Sequence, residues 1–201
     1  MEKDIRRLGI EVINNAPWGT HLCQFYKTKE DLIDILVPYF KAGLDNNEFC
    51  MWVTSAPLET QEAKVALKKV LQDLDDYIEK GQLEILDAGQ WYTKSGNFEP
   101  DRVLEGWVEK EKQAITRGFD GLRLTGNTFW LEKKDWRDFA DYEATVDDVI
   151  GKAVVMIQGK ISHSFFRKGV VARFFRHVVQ RNFGKDIEIN LFLFFLEGCQ
   201  F

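Results

Sequence analysis

Residues 48–54 read EFCMWVT: a short, almost uninterrupted apolar run bounded by a polar residue on each side. Such a run is too short for a buried helix. It has the make-up of a strand covered on both faces, which is typical of parallel sheets. The segments on either side fit the same picture. THLCQFY (20–26) reads as a strand, and Thr28 with Asp31 three residues on forms a capping pair that opens a helix through Leu32, Leu36, Tyr39 and Phe40. Pro38 should kink this helix unless it lies near the last turn, and residues 42–47 supply the stop.

The alternation continues downstream. A helix begins near Glu59 and carries Ala63, Ala66, Leu67, Val70 and Leu71 at helical spacing, with Leu74, Tyr77 and Ile78 extending it or forming a second, short one. QLEILD (82–87) is a third strand with Asp87 at its carboxyl end, and a helix runs from Pro100 to Ile115. FDGLRLT (119–125) is a fourth strand, residues 135–149 a helix, and AVVMI (153–157) a fifth strand. Repeated β–α units predict an α/β, three-layer fold: a mostly parallel sheet with helices on both faces. The domain expected from this pattern covers residues 18–150, after an N-terminal extension (1–17).

The last quarter differs in kind. Residues 1–150 carry 19 Lys and Arg against 29 Asp and Glu, whereas residues 151–201 carry 8 against 3. Three readings fit this basic and apolar segment: a divergent final strand with a basic amphipathic helix, a helix that contacts anionic lipid or nucleic acid, or an altered reading frame near Gly151. Nucleic-acid binding ranks low among the partners. Three scattered cysteines, Cys23, Cys50 and Cys199, form no disulfide framework and suggest a reducing, cytoplasmic setting. No secretory signal or membrane span is expected, since INLFLFFL near the end is too short.

In open α/β sheets ligands bind at the carboxyl ends of the strands. Those ends collect Tyr26, Trp52, Asp87, Trp91, Tyr92, Phe98 and Trp130. Their aromatic rings would come together around one cleft suited to a small, weakly polar ligand or, through cation–π attraction, a methylated ammonium group. For each ring the alternative is simple core capping. Arg123 interrupts an apolar strand and needs a buried partner; Glu143 or Asp87 could serve structurally, or the arginine could anchor a ligand. His21 and Cys23, two apart on one strand, share a face and could begin a metal site completed by Cys50, Asp87 or Glu143. A satisfied histidine beside a small apolar cysteine is the favoured reading. No catalytic motif is evident, and the stretch QFYKTKED (24–31) lacks the glycines of a phosphate loop.

The segments GTHLCQFYKTKEDLIDILVPYFKAGL, EFCMWVTSAP, GQLEILDAGQWYTKSGNFEPDRVLEGW and GFDGLRLTGNTFWL together resemble the MEDS domain, the methanogen/methylotroph sensory domain. The resemblance implies a RecA/KaiC-like frame without a functional phosphate loop. It further implies a role in prokaryotic signalling, sensing simple hydrocarbon derivatives such as methylated or halogenated one-carbon compounds. Partners implied are a small-molecule ligand, a histidine kinase or transcriptional output protein, and a second copy in a homodimer. A nucleotide-binding ATPase relative and a protein-interaction adaptor are the competing functions.

Overall fold

A computed structural model of the chain describes residues 5–10, 13–26, 28–149, 153–158, 163–166 and 190–198. The strands are β1 (Ile5–Ile10), β2 (Ile13–Pro17), β3 (Thr20–Tyr26), β4 (Phe49–Thr54), β5 (Leu83–Asp87), β6 (Gly121–Asn127), β7 (Ala153–Gln158), β8 (His163–Phe166) and β9 (Asn190–Gly198). The helices are α1 (Lys29–Asp45), α2 (Thr60–Lys68), α3 (Leu74–Glu79), α4 (Ala88–Trp91), α5 (Pro100–Thr116) and α6 (Trp136–Val149). All five strands read from the pattern are present, and so are the five longer helices.

The main sheet has the order β5-β4-β6-β9-β3-β7-β8. Strands β5, β4 and β6 are mutually parallel, as are β3 and β7. Between these two parallel groups lies β9, antiparallel to β3 on one side and to β6 on the other, and β8 runs antiparallel to β7. The sheet is therefore mixed: β3, β4, β5, β6 and β7 run in one direction, as expected of a mostly parallel sheet, whereas β8 and β9 run against them. Periodicity marks a strand but carries no information about the direction of a neighbour nearly 70 residues away in sequence. Strands β7 to β9 all come from the segment after residue 150. The basic run at 167–185, with His177 and Cys199, lies outside the described residues.

Alternation along each strand separates two cores. On β4, Cys50 and Trp52 face α1, α2 and α3, whereas Phe49, Met51 and Val53 face α5 and α6. The hairpin β1–β2 is a further element, which the sequence pattern does not single out. It lies over α1 and buries Leu8, Ile10 and Ala16 on the Cys50 side. A Cβ at Gly9, whose φ is +76°, would sit 2.2 Å from the Pro38 carbonyl oxygen, so the close approach of hairpin and helix requires glycine there. Pro38 lies inside α1, seven residues before its end, and the helix continues through it to Asp45. It thus lies outside the last turn, the position at which no kink was expected.

Arg123 ties these layers together. Its Nε donates to Glu48 Oε2 at 2.5 Å, Nη1 to the carbonyls of Tyr39 (2.8 Å) and Leu8 (3.1 Å), and Nη2 to that of Arg7 (2.8 Å). Its partner is thus Glu48, and the expected Glu143 or Asp87 is corrected. Both side chains are fully shielded from solvent. Burial lowers the proton affinity of the guanidinium, but the charge of Glu48 and its hydrogen bond more than offset this and raise the pKa above its ordinary value. The second Glu48 oxygen accepts from Arg6 Nε at 3.1 Å, and Arg6 reaches on to Asp120 at 2.7 Å. Gly43 leaves the necessary space, since a Cβ there would lie 2.6 Å from Arg123 Cδ.

Removing one member of a buried pair leaves the other charge uncompensated, at a cost of about 3–5 kcal/mol. Glu48→Gln should lower the unfolding free energy by about that much in urea titration, with little change in the slope of the transition. A loss below about 1 kcal/mol would mean that water reaches Arg123 and that the network does not hold the layers together.

Candidate functional site

The sheet divides the eight candidate ligand residues. Tyr26 and Trp52 belong to the core on the α1 face, with Arg123, whereas Trp91, Tyr92, Phe98 and Trp130 pack on the α5–α6 face. The expected single cleft around all the rings is therefore corrected to two groups on opposite faces. Alternation shows which residues of one strand share a face; it does not show how that face matches the next strand.

On the α1 face the rings are interior. Trp52 is 1% exposed and stacks on Phe40 with centroids 4.8 Å apart. The Tyr26 hydroxyl accepts from Asn127 Nδ2 at 3.2 Å, and the same amide group donates to the carbonyls of Ser55 (3.3 Å) and Ala56 (3.0 Å). Asn127, which pattern reading passed over, thus pins the β4–α2 loop to the end of β6. Its only sequence signal is the turn-rich GNT at 126–128.

The second group is more extended. Trp91 lies on Trp107 at 4.2 Å, Tyr92 meets Trp107 edge-on at 6.3 Å, and Tyr92 stacks on Trp130 at 4.6 Å with rings 14° apart. Phe98 packs against Trp130, Phe139 and Tyr142 at 5.3, 5.8 and 5.6 Å. Tyr92 is buried, and Trp91, Phe98 and Trp130 are half-buried, so the group reaches from the core to the surface at the carboxyl ends of β5 and β6. Close packing is built in. A Cβ at Gly126 would overlap the Tyr92 hydroxyl oxygen at 2.0 Å, and one at Gly106 would crowd the Trp91 ring at 3.1 Å. Trp107, expected only as a helix face, is central, and its Nε1 donates to the Tyr142 hydroxyl at 2.8 Å.

Local structure fixes this group. Asp87 is the N-cap of α4: its carboxylate accepts from Gly89 N at 2.7 Å, and Gln90 reaches back to Asp87 N at 3.0 Å. The turn so formed carries Trp91 and Tyr92, whose carbonyls both accept from Arg102 Nη2, at 2.9 and 2.8 Å. Asp87 thereby acts on the cluster through the backbone it caps.

His21 and Glu143 meet behind the cluster, Nε2 to Oε2 at 3.5 Å, each almost fully buried. Burial raises the Tyr92 phenol pKa, and the Glu143 charge adds to the effect. Of the three candidates for completing a metal site, only Glu143 lies beside His21. Cys50 is on the opposite face, its thiol bonded to the Phe40 and Glu48 carbonyls and its pKa pushed well up by burial, while Asp87 is engaged as a cap. The Cys23 side chain lies outside the described ones. Among the described residues no three His, Cys, Asp or Glu side chains gather as metal ligands.

The start of α1, where a RecA-type frame would hold phosphate, is occupied by the chain itself. Thr28 Oγ1 accepts from Asp31 N at 3.1 Å, and the Asp31 carboxylate accepts from Thr28 N at 3.0 Å. An anion approaching the positive end of the helix would meet a carboxylate already placed there. Lys29 is turned aside to Glu62 at 2.7 Å. No helix among the described residues is long and apolar enough to cross a membrane.

Residues 20–158 match the family model described as MEDS, the methanogen/methylotroph, DcmR sensory domain. No curated protein and no solved structure gives a significant match.

Two outcomes follow from this geometry. Asp31→Ala removes half of the capping box and should destabilise the protein by about 1 kcal/mol in urea, without making ATP raise the melting temperature. Burial also holds the phenol pKa values of Tyr26, Tyr39 and Tyr92 above the ordinary 10.0. Because the folded state retains these protons, stability is undiminished below pH 10 and falls as the pH rises beyond it. In an ultraviolet titration these three should ionise only with unfolding; a smooth ionisation of all tyrosines in the folded protein would contradict their burial.

Proposed function

Because the chain belongs to the MEDS family of sensory domains, we propose that it binds a small molecule at the aromatic group formed by Trp91, Tyr92, Phe98 and Trp130. The observation that carries this reading is the group's position. It lies at the carboxyl ends of β5 and β6 and spans core and surface, so occupancy would be felt by both α4 and α6. Apolar walls suit a simple hydrocarbon derivative, a methylated or halogenated one-carbon compound. Tyr26, Trp52 and Arg123 support the frame and do not touch this ligand.

The role is sensory, with no reaction assigned to the domain. A cytoplasmic histidine kinase or transcriptional regulator is the natural recipient of the signal, and a homodimer would give it a two-fold output. The frame is of RecA/KaiC type, put to use without a phosphate loop. Occupation of the α1 terminus by Asp31 favours this over nucleotide hydrolysis.

A thermal-shift series with methanol, methylamines, methylthiols, halomethanes and ATP tests the reading. Binding stabilises by RT ln(1+[L]/Kd), so ligand at about 100 Kd adds about 2.7 kcal/mol and raises the melting temperature by several degrees. Stabilisation by ATP alone would establish a nucleotide-binding protein, and silence from every compound would favour an adaptor.

A further inference from the structure

Strand β5 ends its side of the main sheet and pairs with β4 alone. The ladder fixes which of its backbone groups face outward. Cys50 N donates to the Gln82 carbonyl, and Cys50 lies level with Leu83 in a parallel register. The N–H and C=O groups of Glu84 and Leu86 therefore point to β4, and those of Leu83, Ile85 and Asp87 point away. Asp87 N is already taken, donating to Gln90 Oε1 at 3.0 Å in the cap of α4. Leu83 and Ile85 remain, and among the described residues no group bonds their N–H or C=O. An open edge accepts another strand unless a proline, a bulge or a free charge guards it. β5 has no proline, its register with β4 is unbroken, and the charge at its centre is neutralised: Glu84 accepts from Lys110 Nζ at 2.8 and 2.6 Å.

A second copy of the chain matches these open groups. Antiparallel pairing about a two-fold axis at Glu84 sets Leu83 opposite the partner's Ile85, and Ile85 opposite the partner's Leu83. Both are hydrogen-bonded pairs, so every open group on the two edges is used. An axis at Ile85 would instead set Leu83 against the partner's Asp87, whose N–H is held by Gln90. The side chains agree with the first register. Leu83 and half-buried Ile85 belong to the core on the α1 face, so the cross-strand pairs there are apolar on apolar. On the α5 face the two Glu84 carboxylates would oppose each other, but each arrives with its own Lys110, and the axis carries two charges of each sign. A foreign strand brings no such lysine. We propose that the chain forms a two-fold dimer through β5, which joins two seven-stranded sheets into one, with the Glu84–Lys110 pairs of both copies at the axis. Its signalling role rests on the sensory reading, whereas the contact itself rests on the sheet edge and not on the aromatic group. The two lie close together, because α4, which carries Trp91, begins where β5 ends.

Sedimentation equilibrium of the full chain, from low to high micromolar concentration, should show a monomer–dimer equilibrium. Glu84→Lys gathers four positive charges at the axis and should raise the dissociation constant about tenfold or more. Adding Lys110→Glu to it exchanges the two charges and should bring the constant back to within about threefold of the wild type. Ile85→Pro removes an outward N–H from each edge but no bond to β4, and should also weaken the dimer. Melting temperatures at the lowest concentration check that each variant is folded, and if Ile85→Pro is not, the charge exchange decides alone. A monomer at every concentration would leave the edge to a foreign strand and overturn the dimer, while ligand binding in the thermal-shift series would still stand. A dimer indifferent to the folded variants would lie elsewhere on the surface, and a loss in Glu84→Lys that the exchange does not restore would refute the axis at Glu84. A dimer that responds as expected but binds none of the small molecules would sink the sensory reading and keep the β5 contact.

Discussion

The buried contact between Arg123 and Glu48 is the constraint on which the architecture turns. Arg123 leaves β6 and ends among carbonyls of α1 and of the N-terminal hairpin, so one guanidinium joins three segments distant in sequence. A hydrophobic residue in its place would fill the volume, but it would leave the Tyr39, Leu8 and Arg7 carbonyls without this donor. The pair therefore specifies the position of the hairpin as well as contributing stability. Glycines at 9 and 43 are needed because the backbones must approach this closely for one side chain to reach them all.

The α1 face is consolidated as core, and the opposite face carries the aromatic group proposed above as the ligand site. With Trp52 stacked on Phe40 and Tyr26 bound to Asn127, the aromatic residues there are committed to packing. The rings around Tyr92 are arranged differently. They include three half-buried side chains and two indole donors that, among the described residues, have no acceptor, which is unusual for buried polar groups.

Much of the frame was legible in the sequence because it rests on local periodicity. The runs at 48–54 and 119–125, the Thr28–Asp31 cap and Pro100 at the head of α5 are each decided within a few residues. What stayed hidden depends on pairing across long stretches. The antiparallel β9, the hairpin over α1 and the choice of Glu48 over Glu143 or Asp87 are set by which surfaces meet, and no single segment encodes that. The candidate site shows the same limit. Trp91, Tyr92, Phe98 and Trp130 stand out as a turn-rich aromatic group, yet their separation from Tyr26 and Trp52 follows from the sheet's geometry alone.

The place of β9 also bears on the order of assembly. Residues 190–198 form the only described strand that joins the β5-β4-β6 group to the β3-β7-β8 group. During synthesis the two groups can form early, each with its helices, but an open edge on β3 and another on β6 must wait until the chain has grown past residue 198. Until then the nascent protein exposes two unpaired strands able to accept a foreign one. The long sequence separation between β9 and its partners makes this closing step slow relative to the local contacts that precede it. The completed sensor thus exists as one sheet only after its latest-made described strand has entered the middle.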